Sequence, residues 1–379
     1  MEQINQPAPE KAGSRDRLSA CVFLSLIAVL FILNLVVKPP DILMSERRAR
    51  APLPAITGHS LLSGNFMSGF EDYAADAFIF RDDFRRLKAE TVFHVFMQTD
   101  KSGLYFGAAG AGEFKALDPV AARQSAEKIK KVMDTIKGCF IYYSIVPDKS
   151  IYAGKYLPGF ELEPAERILA EVLDGAVYIP LADCLTAGSF YRTDLHWDQP
   201  SIGGVVNRLF AGMDARRIDP EYPAISFTQI PARYAGEFKG VYAGQLALPM
   251  AADQMYYMDL TGLKAQKLND RTLQFEECPV YDLERFKGAD PYDIFLQGPQ
   301  AVVLLENPDA PGGDLYLFRD SYGSSLAPLL TSAYRRIALI DLRYIDVRAL
   351  DQFVEFEAGA DVLFLYSSQI LNNPSVLRV

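Results

Sequence analysis

Of the three histidines in the chain, one has neighbours suited to proton transfer. His59 lies in a proline-rich stretch, and His94 sits in an apolar helical pattern with Phe93 and Phe96, where packing or exposure suits it better than catalysis. His196 belongs to Y-R-T-D-L-H-W, residues 191–197. In extended backbone, residues two apart face the same side, so Asp194 and His196 are expected on one side, about 6.6 Å apart along the chain. A carboxylate within that reach fixes an imidazole tautomer and raises its basicity. Trp197 then points the other way and packs. Taken alone, D-x-H is more often a structural polar pair. The second piece is L-Y-L-F-R-D-S-Y-G-S-S, residues 315–325. Here a strand is expected to end at Arg319-Asp320, and Ser321-Tyr322-Gly323 turns into a helical stretch that Pro328 interrupts. A serine at the carboxyl end of a parallel strand sits where α/β sheets place their sites. The N–H groups of Ser321 and Gly323 are expected to face a developing oxyanion. The plainer role for Ser321 is to cap the helix.

These residues need a scaffold, and the chain reads as one of alternating elements. Helices are expected over 119–137, 164–173 and 200–213, with apolar runs at 139–146, 176–181, 301–307, 314–320, 336–342 and 361–366. Short β-branched and aromatic runs between helical stretches predict an α/β fold of parallel strands with crossover helices. Apolar residues at helical spacing from Gly69 to Met97 predict one or two amphipathic helices. The run 103–114 reads as a hairpin, because its glycines match neither G-x-G-x-x-G nor the Walker pattern. Residues 214–300 are irregular and read as an insertion or an antiparallel flank.

Composition removes several function classes. Half the residues are hydrophobic and 23% are charged, which fits a packed core rather than a disordered chain. A net charge of −10 without a basic cluster argues against nucleic acid as a partner. Cys21, Cys139, Cys184 and Cys278 form no zinc pattern, so no metal and no cofactor is expected. Three buried free thiols in the large domain are expected, with a Cys139–Cys184 or Cys184–Cys278 bridge as the alternative. From Leu18 to Val37 the chain carries no charge, a length that suits a bilayer-spanning helix. A cleaved signal has a shorter apolar region and a small-residue cleavage site, so a retained anchor is expected. The division expected is a cytoplasmic tail (1–17), a transmembrane anchor (18–37), a linker (38–68) and a domain outside the cytoplasm (69–379). Charges flanking the anchor nearly balance, so the positive-inside rule alone does not orient it.

At the residues quoted, the sequence resembles the DHHW proteins, relatives of the alginate O-acetyltransferase proteins within the SGNH-hydrolase superfamily. The D-x-H-W block matches Asp194, His196 and Trp197, and the D-S-Y block matches Asp320, Ser321 and Tyr322, with Arg319 before it. Further blocks are D-A-F-x-x-R-D (Asp76 to Asp82), P-D-K-S (Pro147 to Ser150), Y-D-I-F-L-Q-G (Tyr292 to Gly298) and D-L-R-Y (Asp341 to Tyr344). They cover nearly everything after the linker. Leu195 departs from the pattern, standing where the first of two histidines is usual.

The resemblance implies an SGNH-hydrolase-like (flavodoxin-like) sheet with permuted motif order. His196 precedes Ser321 by 321 − 196 = 125 residues, the order of the acetyltransferase branch. In acyl transfer on this plan, Asp194 orients His196, which takes the proton of Ser321, the nucleophile. Tyr322 and Arg343 are the expected substrate contacts. A polysaccharide hydroxyl is the expected acceptor, and a membrane-bound O-acyltransferase is the expected partner, supplying acyl groups across the membrane. An acetyl esterase with the same triad and a catalytically silent polysaccharide-binding or assembly module are the alternatives.

Overall fold

The computed structural model describes residues 13–107, 110–153, 159–213, 227 and 230–379. The chain forms two compact units, Met1–Lys88 and Ala89–Val379. Part of the 214–300 segment, including 214–226, lies outside the described residues.

The first unit begins with α1 (Ser14–Val36), a run of helix-forming apolar residues with no interior Gly or Pro that ends before Pro39-Pro40. Its stretch Arg15–Val36 has a mean hydropathy of 2.6 and none of it is buried. At 1.5 Å per residue this helix is about 33 Å long, enough for a membrane span; a signal sequence has the same character. A short hairpin follows, pairing Ile42–Leu43 with Arg48–Ala49. Arg48 forks onto the buried Asp76 at 2.6 and 2.7 Å, and that contact draws the carboxyl down to about 2. Arg81 adds contacts at 3.4 Å to Asp76 and 2.8 Å to Glu46. Helices cover Gly58–Leu62 and Asn65–Ala77, and α2 (Arg81–Glu90) starts after a tight turn.

The second unit is built on an eight-stranded sheet: β1 (Phe140–Val146), β2 (Val177–Tyr178), β3 (Lys264–Leu268), β4 (Phe275–Cys278), β5 (Val302–Glu306), β6 (Asp314–Arg319), β7 (Arg336–Ile340) and β8 (Asp361–Ser367). Their order across the sheet is β4-β3-β5-β7-β6-β8-β1-β2. Strands β7, β6, β8, β1 and β2 run parallel. The expectation of parallel strands fails at 302–306, where β5 pairs antiparallel with both β7 and β3, and β4 adds a further antiparallel strand. A strand buried on both faces shows the same apolar run whichever way it points.

Alternation along the parallel strands feeds two cores. Leu315 and Leu317 of β6 pack on one face with α5 (Gly203–Gly212) and α6 (Ser321–Leu330). Tyr316 and Phe318 pack on the other with α3 (Pro119–Thr135) and α4 (Leu162–Val172). The start of α3 is sharp because Pro119 pre-sets the first turn and the Asp118 side chain accepts from the amides of Val120 and Ala121. Beside the sheet, Leu104–Gly107 pairs with Gly110–Glu113 as the expected hairpin, and Ala232–Phe238 pairs with Asp253–Met258. Cys139, Cys184 and Cys278 are free thiols as expected, but each is partly exposed rather than buried.

Candidate active site

The carboxyl end of β6, between β7 and β8, carries the D-S-Y turn. Asp320 caps α6: its Oδ1 accepts from the Tyr322 amide at 3.1 Å, and its Oδ2 accepts from the Ser367 amide at the end of β8 at 2.8 Å. One carboxylate thus starts the helix and staples the turn to the adjacent strand. The helix leaves so steeply that a Cβ at Gly323 would lie 2.5 Å from the Cβ of Arg319, so only glycine fits there. Asp320 is the cap, which leaves Ser321 as the first helical residue with its hydroxyl unencumbered by capping.

That hydroxyl meets an imidazole. Ser321 Oγ lies 2.8 Å from His196 Nε2, and His196 Nδ1 lies 2.7 Å from Asp194 Oδ1. Asp194 is fully buried and its Oδ2 accepts from the Val241 amide at 3.0 Å, while Oδ1 also accepts from the His196 amide at 3.1 Å. A carboxylate surrounded by N–H donors can only accept, so Nδ1 carries the proton and Nε2 offers its lone pair to the serine hydroxyl.

The segment bearing Asp194 and His196 is a bend rather than the expected extended strand. It is closed by a bridge between Phe190 and Trp197 and by the Tyr191 amide donating to the His196 carbonyl at 3.1 Å. Such backbone needs outside partners for its polar groups, and two buried side chains supply them. Asp253 accepts from the Arg192 amide at 2.8 Å, the Thr193 amide at 2.7 Å and the Thr193 hydroxyl at 2.5 Å. Lys149 Nζ donates to the carbonyls of Ala111 at 2.7 Å and Tyr191 at 2.6 Å, with those of Arg192 and Asp194 at 3.4 Å. Burial lowers the Lys149 pKa to about 8 against the opposing pull of Asp253 and Asp194. The fit is tight, since a Cβ on Gly240 would lie 2.3 Å from the Asp194 Cβ.

Aromatic rings fix the imidazole plane. Tyr292 stacks on His196 with centroids 3.8 Å apart and planes 8° from parallel, and Tyr322 approaches at 5.2 Å and 56°. Ser325, one turn into α6, ties the rings together: its Oγ accepts from Trp197 Nε1 at 2.8 Å and from the Tyr292 hydroxyl at 2.6 Å. Tyr292→Phe should keep the stack and cost about 1 kcal/mol for the lost hydrogen bond. Tyr292→Ala should open a cavity costing about 3 kcal/mol and let the ring of His196 turn. Denaturant melts of both variants test this; equal losses would mean that stacking contributes nothing.

Asp194, His196 and Ser321 therefore come together, while the other expected site residues have different surroundings. Tyr322 is not open to a substrate: its ring is buried and its hydroxyl donates to the Leu195 carbonyl at 2.8 Å, steadying the histidine segment. Arg343 follows β7 and is engaged by Asp341, at 2.9 Å from Nε and 2.6 Å from Nη2. The Gly323 amide is not free for an oxyanion either, because it donates to the Asp320 carbonyl at 3.1 Å. The Ser321 amide, at the first helical position, has no carbonyl one turn earlier within α6. Lys149, Asp253, Tyr292 and Ser325 were not singled out for roles by sequence reasoning, although all but Asp253 stand in quoted runs. His94 is exposed beside Glu90 at 3.2 Å, and His59 lies in the first unit.

No family model matches the sequence, and no curated protein matches it. Solved structures share its fold. A DHHW family protein from Eubacterium siraeum superposes with a TM-score of 0.56 at 16% identity, covering 73% of this chain and 94% of that one. PatB1 from Bacillus cereus gives a TM-score of 0.54 at 15% identity, over 73% of this chain and 99% of its own. The same protein carrying a sulfonyl adduct gives 0.53 at 14% identity, over 71% and 95%.

Proposed function

We propose that the chain is a membrane-anchored O-acyltransferase of the SGNH-hydrolase type, with permuted motif order, which acetylates hydroxyls of a cell-surface or exported polysaccharide. The observation that carries this reading is the continuous hydrogen-bonded line from Asp194 through His196 to Ser321 at the carboxyl end of a central parallel strand. The fold shared with a DHHW family protein and with PatB1, a protein that takes a sulfonyl adduct, supports it.

In the first half-reaction, His196 Nε2 takes the Ser321 proton as Oγ attacks the donor carbonyl. The tetrahedral oxyanion forms near the Ser321 amide, where the partial positive charge of the α6 N-terminus favours it. Collapse breaks the bond to the donor's leaving group, which receives the proton from His196, and an acetyl ester remains on Ser321. An acceptor hydroxyl then gives its proton to His196 and attacks the ester, and Ser321 recovers its proton as it leaves. Asp194 stabilises the imidazolium in both halves. In this reading α1 is a retained anchor with the catalytic unit outside the cytoplasm, and a membrane-bound O-acyltransferase delivers the acyl groups.

The test is product analysis with an aryl acetate as donor and an oligosaccharide as acceptor. Acetylated saccharide, rising with acceptor concentration while free acetate falls, is the expected outcome. Release of acetate alone, indifferent to any saccharide offered, would make the protein an esterase.

A further inference from the structure

In the first unit, the turn before α2 is docked on the side of α1. The Asn34 side chain donates to the Leu30 carbonyl at 2.8 Å and accepts from the Ile79 amide at 2.8 Å. A cleft of about 350 Å³ has Asn34, Val37, Lys38, Pro39 and Pro40 on one side and residues 76–83 on the other. Asn34 is two residues short of the helix end, about 3 Å along the axis. Residues 78–81 therefore stand at the depth where the apolar helix stops. The Arg48–Asp76–Arg81 contacts clamp the turn at its base.

What the turn presents there is apolar and unburied. Phe80 is 53% exposed, Phe84 48% and Leu87 62%, with Phe78 against Phe84 at 5.7 Å. Phe84 and Leu87 are three apart and share a face of α2. Lys88 is exposed on the same side, and Lys38 is exposed at the end of α1. Phe80 also adopts φ +60°, a left-handed conformation that bulky residues rarely take. A strained residue that still leaves about half of its ring surface exposed points to an external contact.

We propose that Phe80, Phe84 and Leu87 form a membrane-interface surface, continuous with the end of α1, that inserts among phospholipid headgroups and acyl-chain ends. The proposal rests on the reading of α1 as a retained span. The apolar side of α2 lies in the boundary layer as interfacial amphipathic helices do, with Lys38 and Lys88 reaching lipid phosphates. A second point of contact removes the freedom of a single span to rotate and tilt.

The experiment uses the full chain in nanodiscs of phosphatidylcholine and phosphatidylglycerol, with benzoyl-phenylalanine placed singly at Phe31, Phe80, Phe84 or Arg86. Arg86 lies roughly 200° around α2 from Phe84. Irradiation and mass analysis should give lipid adducts at positions 31, 80 and 84, and at least several-fold fewer at 86. Adducts at 31 without any at 80 and 84, equal yields at 84 and 86, or cross-links from 84 to a second copy would each overturn the proposal. Loss of labelling at 31 with adducts kept at 80 and 84 would refute the span on which the proposal rests, a result distinct from failure of the surface itself. Phe80→Gly relaxes the backbone and removes the ring, so it should leave the melting temperature equal or higher and cut the yield at 84 several-fold. A lowered melting temperature would make Phe80 a packing residue and remove it from the surface.

Discussion

Ser321→Ala should abolish turnover of an aryl acetate while leaving the fold in place. Asp320, not Ser321, caps α6, and alanine suits a first helical position, so the stability change should stay within about 0.5 kcal/mol. The rate loss should be about 10⁴-fold or more, because without Oγ no acyl-enzyme forms and only oxyanion stabilisation and binding remain. His196→Ala should be about as inactive, and the double variant no worse than either, since the members act as one unit. Mass analysis of wild type quenched with the donor should find one acetyl group on the Ser321 peptide. Full turnover by Ser321→Ala would end the assignment and require another nucleophile.

The second large effect is expected far from the nucleophile in sequence, at Asp253. Its carboxylate satisfies the amides of Arg192 and Thr193 and the Thr193 hydroxyl. Asp253→Ala leaves those three donors without that partner, at about 1–3 kcal/mol each, so a loss of at least about 3 kcal/mol is expected. Asp253→Asn keeps one acceptor oxygen and should lose roughly half as much. Activity should fall further than the folded fraction explains, since the bend carrying Asp194 and His196 loses its frame. Calorimetry together with kcat on the remaining folded protein checks both parts. An Asp253→Ala protein that melts at the wild-type temperature would show that the frame is held by other contacts.

Legibility in the sequence followed the range of the interaction. Asp194 and His196 were readable because they are two residues apart, although the backbone reaches that contact through a bend. The serine turn was readable because an apolar strand ends abruptly in D-S-Y-G. The helix expected from 119 agrees with α3, whose start is fixed by the local Asp118-Pro119 cap. The direction of β5 was not readable, because pairing direction is set by neighbours and not by the strand's own residues. Asp253 acts on residues about sixty positions away, and Lys149 on carbonyls roughly forty away. Nothing local distinguishes either from an ordinary solvated charge. Tyr292 stands in a quoted block, but only its parallel stack on His196 shows what its ring does. The Gly323 amide was misassigned for a related reason, since whether a first-turn amide is free depends on where the helix starts.

The order in which the sheet is assembled bears on when chemistry can begin. Strand β6 is flanked by β7 and β8, both of which come after it in the chain, and the turn is pinned through Asp320 by the Ser367 amide, 367 − 320 = 47 residues further on. A nascent chain that already holds the Asp194–His196 contact therefore has no pinned Ser321 turn until β8 is made. Sequence-distant pairing of this kind is slow compared with helix formation. During that interval the emerging polypeptide lacks the assembled Asp194–His196–Ser321 line. Under the proposed function, turnover begins only after β8 has joined the sheet.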